Sequence, residues 1–543
     1  MMSTDAARIL GENLIGGEPV GDGPVVFRAI DPLSGGALEP PFREADAALA
    51  DRALVSAGAA FRAYSGLAPA DRARFLSAIA DEIVGLGEAL VERAHAETSL
   101  PVARVESERG RTVSQLRLFA TLLEEGSWVD ARIDPGDPAR VPQPKPDLRR
   151  MLVPLGPVVV FSASNFPLAF SVAGGDSASA LAAGCPVVCK THPGHPGTSE
   201  LVAHALYRAA RACGVPAGVF SLLHGWSHEV GLSLVRHPLT SAVGFTGSLR
   251  GGRALFDAAA ARAEPIPVYA EMGSINPVFL LPSALAQRAD AIAQGLAQSI
   301  LLGVGQFCTN PGVVVGVSGT DLDRLTRALA ERIDRAEPGA MLYGRLCEAF
   351  DLGVARARDG GAAVVAAGPD GAPGSPPRAR PTLLAVDADR FCRTRDLREE
   401  IFGPASLVVA ARDVAELTRV AETLEGQLTA SIHGTQEELR AHAPLVEGLR
   451  RRVGRLIFNG FPTGVEVGDA MQHGGPYPAT TDSRTTSVGT ASIARFARPI
   501  CYQDFPDEAL PPALRNRNVL RIWRRVNGAL TRDDAAVGPS PWT

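Results

Sequence analysis

Four short β-branched runs recur along one stretch of this chain: PVVVF at 157 to 161, PVVCK at 186 to 190, VFSLL at 219 to 223 and AVGFT at 242 to 246. Between them lie segments of small and helix-favouring residues, among them AGGDSASALAAG and TSELVAHALYRAARACG. A strand, a helix and another strand every 25 to 30 residues or so is the pattern of a parallel sheet covered by helices. Gly184, after ALAA, and Gly214, after ARAC, stand where glycines end helices. This part of the chain therefore reads as a Rossmann-like half.

Other segments follow different rules. From about 43 to 125 the apolar residues keep helical spacing, and Phe75, Leu76, Ile79, Ile83 and Leu86 share one face. The proline-rich IDPGDPARVPQPKPDL (133 to 148) cannot be regular helix and reads as an extended arm. A second α/β segment spans about 271 to 460, with strand-like NPVFLL, VVVGV, SLVVAA and RLIFNG. A glycine- and proline-rich surface loop falls within 360 to 382. SRTTSVGTASIARFARPI, near the end, suits an edge strand that pairs with another subunit.

At 543 residues the chain is too long for one core, so two or three domains are expected. A net charge of −5, without basic excess or charge blocks, points away from nucleic acid. MMSTDAARILGENLIGG lacks the features of a secretion signal, and no apolar run reaches the roughly 18 residues that span a bilayer. Seven cysteines without paired spacing read as reduced thiols in the cytoplasm. Cys185 and Cys189, in CPVVC, lack the second pair or histidines of a zinc site, so no metal is expected.

Four stretches could carry chemistry. In GQFCTNPG, Cys308 sits in a polar, glycine-flanked turn after apolar SILLGVG, unlike a cysteine that serves as a small hydrophobe. A free thiol titrates near 8.5, and turn amides can lower that value; a cysteine without special role stays open. Glu271, after the apolar VYA, suits a desolvated general base with a raised pKa, or a mere cap. Asn165, in SASN at the end of an apolar strand, suits an oxyanion donor, or a helix cap. GFTGSLRGG joins a strand to a helix as a phosphate-binding turn would, without the full GxGxxG spacing.

Together, and in this order, these residues resemble the NAD(P)-dependent aldehyde dehydrogenase superfamily. The resemblance rests on SNFP (164 to 167), VVCK (187 to 190), GFTGS (244 to 248), EMGSINP (271 to 277), GQFCTNPG (305 to 312) and EEIFGP (399 to 404). HGGPYPATTDSRTTSVG (473 to 489) and the C-terminal CYQDFPDEALPP are similar to the branch acting on α-ketoglutaric semialdehyde, or 2,5-dioxovalerate. A fatty aldehyde dehydrogenase is a more distant likeness. The resemblance implies that Cys308 is the nucleophile, Asn165 with the Cys308 amide the oxyanion site, and Glu271 the base for thioester hydrolysis. His473 tunes the thiol or water in this reading, or else holds a tight glycine turn.

For the cofactor, the resemblance implies contacts from Ser164, Lys190, Gly247, Ser248, Glu400 and Phe402. Lys190 is one of only two lysines beside fifty-two arginines. NAD-preferring members carry a glutamate three residues beyond that lysine; here the position is Pro193, which favours NADP while leaving NAD possible. Several arginines could meet a substrate carboxylate; Arg484 could as well hold a segment in place, and none is assigned. A cysteine hydrolase built on Cys308 and His473 is disfavoured by EEIFGP, and a non-catalytic relative by intact Cys308, Glu271 and Asn165.

The expected subunit is α/β. A Rossmann-like cofactor domain covers 1–128 and 149–270, and a catalytic domain covers 271–460. A small β oligomerisation element takes 129–148 and 480–503, and a tail takes 504–543. The expected partners are an aldehyde and further copies of the chain, as homodimer or homotetramer, with neither nucleic acid nor membrane.

Overall fold

A computed structural model of the chain describes residues 8–21, 26–370 and 378–535. The first sheet has seven strands, in spatial order Val268–Glu271, Ala242–Thr246, Val158–Phe161, Val187–Lys190, Phe220–Leu223, Asn13–Ile15 and Glu18–Val20. The first five are mutually parallel, and Asn13–Ile15 joins them antiparallel. Val158–Phe161 is buried along its whole length because helices cover both faces. Val158 and Val160 pack in one cluster with Ala178 and Leu181, whereas Val159 and Phe161 pack in another with Leu49 and Leu255. The strand order reverses between Val158–Phe161 and Ala242–Thr246, and open α/β sheets hold ligands at the carboxyl ends of strands at such a point.

The helical opening consists of Ala47–Ser65, Pro69–Gly85, Gly87–Thr98 and Val102–Glu125. Phe75, Leu76, Ile79, Ile83 and Leu86 are all buried, as their spacing predicts. Gly184 and Gly214 end the helices Gly175–Ala183 and Pro196–Cys213 with φ of +101° and +67°, a conformation that costs a side chain-bearing residue energy.

The second sheet also has seven strands, ordered Ala363–Ala367, Thr382–Asp387, Ala405–Ala411, Val313–Val317, Val278–Leu280, Gln427–His433 and Val453–Phe458. All neighbours are parallel except the first pair. Of the expected loop within 360 to 382, residues 371–377 lie outside the described residues; strand Ala363–Ala367 precedes them.

A third sheet differs from expectation. Its order is Ala497–Gln503, Leu148–Pro154, Arg132–Asp134, Arg524–Val526 and Ala529–Thr531. The 133–148 arm pairs regularly only at its ends, with a bridge between Asp137 and Lys145, because its prolines cannot donate to a ladder. The stretch 480–503 divides: strand begins only at Ala497, and the residues before it serve the site below. The segment from 504 is no separate tail. Leu510, Leu514 and Ile522 bury against Val129 and Ile133, which brings Arg524–Val526 beside Arg132–Asp134. Residues 536–543 of that segment lie outside the described residues. Among the described residues, no helix is long and apolar enough to cross a membrane. All seven cysteines are free.

Candidate active site

The site forms where three turns meet. The first carries Cys308. Helix Pro282–Leu301 ends in the turn Leu302–Gly305, in which Gly303, Val304 and Gly305 all adopt positive φ, and the chain then reaches Cys308 before strand Val313–Val317. A β-branched residue at positive φ is strained, and such strain persists only where the surroundings enforce it. Here the surroundings do so by hydrogen bonds. Asn276 Nδ2 donates to the carbonyls of Cys308 (2.8 Å) and Asn310 (2.9 Å), and Asn310 Nδ2 donates to the carbonyl of Gly403 (3.0 Å). The EMGSINP, GQFCTNPG and EEIFGP stretches are thereby tied into one unit.

The second turn carries Asn165. Expectation left open a helix cap, which the structure excludes: the following helix starts at Gly175, after Gly174. Asn165 is buried, and its Nδ2 donates to the Gln306 carbonyl at 3.0 Å, two residues before Cys308. Glu108, on helix Val102–Glu125, fixes this turn by accepting from the amides of Leu168 and Ala169, both at 2.9 Å.

The third turn brings His473. Glu271 is the last residue of strand Val268–Glu271 and bridges to Thr480, while Met272 N donates to the Ala479 carbonyl. The segment 473–489 therefore runs beside Glu271. Ser487 Oγ donates to Glu271 Oε2, and His473 Nε2 lies 3.1 Å from Glu271 Oε1 and 3.4 Å from Cys308 Sγ. One donor atom from each of Glu271, Cys308 and His473 falls within 4.8 Å of the others.

Two electrostatic expectations are reversed. Burial alone would raise the Glu271 carboxyl, but His473, Ser487 and Cys308 together hold it below the ordinary carboxylate value. The Cys308 thiol, conversely, is pushed well above its ordinary value, first by burial and then by the Glu271 charge, with Arg111 opposing. The turn amides do not win, because burial and the neighbouring carboxylate both favour the neutral thiol. Cys308 thus rests as a thiol beside an ionised carboxylate, which can accept its proton directly or through His473.

The remaining predicted residues cluster at the sheet crevice. Lys190 ends its strand, and its Nζ donates to the Gly225 carbonyl at 2.8 Å. Burial lowers its pKa to about 8, against the opposing charge of Glu44. A glutamate does act on this lysine, though not from position 193. Pro193 supplies no carboxylate, yet buried Glu44, which accepts from Ser227 N, acts on Lys190 from the N-terminal segment. Gly247 N donates to the Glu271 carbonyl, and Ser248 caps helix Leu249–Ala260 by accepting from Gly251 N at 3.2 Å. Ser164 lies in the Asn165 turn, close to Tyr343. Burial raises the Glu400 carboxyl to about 7, with the Glu271 charge adding to it, and Phe402 lines a pocket with Glu400. Arg484 is exposed and paired with Asp482.

These residues fit a dinucleotide. Thr246 Oγ1, at the carboxyl end of its strand beside Gly247 and Ser248, is buried without a partner and next to a capped helix N-terminus, which favours phosphate. Three residues of consequence escaped sequence reasoning: Ser487, Asn276 and Arg111. Asn276 and Ser487 stood inside quoted motifs without being singled out; Arg111 has no local signal.

The model of the aldehyde dehydrogenase family matches residues 24–484. Alpha-ketoglutaric semialdehyde dehydrogenase 2 of Azospirillum brasilense is 52% identical over 523 residues, 96% of this chain and 99% of that protein. Alpha-ketoglutaric semialdehyde dehydrogenase of Acinetobacter baylyi is 47% identical over 485 residues, 89% of this chain and 91% of that protein. Among solved structures, aldehyde dehydrogenase C of Pseudomonas syringae, complexed with NAD+ and octanal, matches with a TM-score of 0.78 at 23% identity, over 92% of this chain and 98% of that one.

Proposed function

This chain belongs to the aldehyde dehydrogenase family, and on that premise we propose that it oxidises 2,5-dioxovalerate to 2-oxoglutarate through a thioester on Cys308. The observation that carries the reading is the group of half-buried Cys308 with buried His473 and Glu271, and the Asn165 amide beside it. The names of the two curated relatives support the substrate. So does the pocket in front of Cys308, which has phenylalanine walls but also arginine, unlike a wholly apolar tunnel for a fatty aldehyde.

Cys308 Sγ adds to the aldehyde carbon as its proton passes to Glu271 or His473, giving a tetrahedral thiohemiacetal. Asn165 Nδ2 and the Cys308 amide donate to the oxyanion, where preorganised donors are worth most. Bound NAD(P)+ supplies the acceptor for the aldehyde hydrogen as hydride, which leaves the thioester on Cys308. Glu271, ionised once the first proton has passed to solvent and anchored by Ser487, takes a proton from water as that water attacks the thioester carbon. The carboxylic acid departs, and Cys308 recovers its proton. Lys190, Ser164, Gly247 and Ser248 would hold the adenosine and pyrophosphate, and Glu400 and Phe402 the nicotinamide end. Lys190 beside Pro193 favours NADP, although Glu44 limits that preference. The exposed strand Ala497–Gln503, at the end of its sheet, suits strand pairing between subunits of a homodimer or homotetramer. Seven free thiols suit the cytoplasm.

Steady-state formation of reduced nicotinamide tests the reading. NADP+ or NAD+ is supplied with 2,5-dioxovalerate, succinic semialdehyde, pentanal or a long aliphatic aldehyde, with Cys308→Ala as control. The highest kcat/KM is expected for 2,5-dioxovalerate with NADP+, and none for Cys308→Ala. A long aliphatic aldehyde winning by about tenfold, or about 1.4 kcal/mol, defeats the substrate assignment.

A further inference from the structure

The pocket that opens onto Cys308 is walled by Phe166, Phe170, Phe307 and Val465, and Arg111 forms part of the same wall. Three arginines act on this region, and they differ in what they hold. Arg104 pairs with Glu108 at 2.8 Å. Arg455 donates to the carbonyls of Pro462 (2.7 Å) and Gly464 (3.2 Å) and so fixes the loop below the pocket. Arg111 makes no hydrogen bond or ion pair with any described residue, and its Nε is buried without a partner. Its guanidinium is held instead by two rings, 6.0 Å from the centroid of Phe166 and 5.8 Å from that of Phe170.

An unpaired, partly buried guanidinium is costly unless something completes it. The nearby carboxylates are already engaged. Glu108 serves Arg104 and the amides of Leu168 and Ala169, and Glu271 serves His473 and Ser487. The missing partner therefore comes from outside the chain. We propose that Arg111 anchors the carboxylate of the substrate: with the aldehyde carbon at Cys308 Sγ, the 2-oxo acid end of the semialdehyde meets the Arg111 guanidinium between Phe166 and Phe170. The assignment rests on the semialdehyde reading above. The planar fork of arginine suits a carboxylate and its neighbouring 2-oxo group, which present oxygens in one plane. Placement is also well defined. Arg111 lies one helical turn after Glu108, which holds the Asn165 turn, so carboxylate anchor and oxyanion donor share one helix as reference.

The test compares 2,5-dioxovalerate with pentanal, which keeps five carbons and the aldehyde but lacks the acid. Wild type, Arg111→Met and Arg111→Lys are assayed as full chains. The ratio of kcat/KM for 2,5-dioxovalerate over pentanal is expected to fall at least about tenfold in Arg111→Met, mostly through KM, with part recovered in Arg111→Lys. A second readout avoids turnover: 2-oxoglutarate should raise the Tm of Cys308→Ala but not of Cys308→Ala carrying Arg111→Met. If wild type prefers 2,5-dioxovalerate and Arg111→Met keeps that ratio, the Arg111 assignment alone is overturned. Equal loss toward both aldehydes, without loss of the 2-oxoglutarate shift, also overturns it, since packing would explain the effect. If wild type does not prefer 2,5-dioxovalerate, the substrate reading fails and the anchor falls with it.

Discussion

A thiol and a carboxylate buried side by side cannot both ionise freely, and that conflict sets the chemistry at the residue scale. Cys308 is pushed up by burial and by Glu271, so less of it is thiolate near neutral pH than the few per cent of a free cysteine. Glu271 is held down by His473 and Ser487 against its burial, so the carboxylate keeps its charge, as the proposed base requires. Removing that charge should release the thiol. In Glu271→Gln, the midpoint of iodoacetamide alkylation at Cys308 against pH should move down, while hydrolysis of the thioester stalls. A midpoint that moves up or stays put would mean that Glu271 does not face the sulfur. The proposed role of Asn165 is different: to donate where negative charge develops. Asn165→Ala should lower kcat about 10²- to 10³-fold, roughly 3 to 4 kcal/mol, with little change in alkylation rate. The sequence made Cys308, Glu271 and Asn165 visible because each lies in a short stretch with its own chemical signature. It could not give the sign of the pKa shifts, which come from contacts between residues up to 216 positions apart.

At the scale of elements, the site depends on turns that must meet at close range. Gly305 shows how close. It has a φ of +65°, and a Cβ there would lie 2.2 Å from the main-chain carbonyl of Gly403. Gly305→Ala therefore forces apart the Cys308 turn and the EEIFGP loop. It should lower Tm by several degrees, corresponding to a cost of at least about 1 to 3 kcal/mol, and lower kcat as well. A variant with normal Tm and kcat would show that the two loops need not touch. The repeating strands and their covering helices were legible because parallel strands buried on both faces leave continuous apolar runs, as in Val158–Phe161. The third sheet was not legible in the same way. Arg524–Val526 has no apolar run of its own and becomes a strand only because Leu510, Leu514 and Ile522 bury against Val129 and Ile133. Likewise 480–496 carries β-branched residues yet forms no strand, since Thr486 and Ser487 spend their hydrogen bonds on His473, and Ser487 also on Glu271.

Across the whole molecule, the first sheet has a crevice at its switch point that suits a nucleotide, and the cysteine turn leads into Val313–Val317, the central strand of the second. The helix Val102–Glu125 contributes Arg111 to the pocket wall and Glu108 to the Asn165 turn. In the proposed reaction each part contributes one function: Lys190, Gly247 and Ser248 for the cofactor, Cys308 with Glu271 for the covalent step, and the helix Val102–Glu125 for the substrate end. What unites them is the thioester on Cys308. The decisive measurement is peptide mass spectrometry of Glu271→Gln enzyme quenched during reaction with 2,5-dioxovalerate and NADP+. The account predicts one acyl group per chain, carried on Cys308 and absent when the nucleotide is omitted, together with a burst of about one equivalent of reduced nicotinamide. Continued turnover with no adduct, or with the adduct on another cysteine, would contradict it.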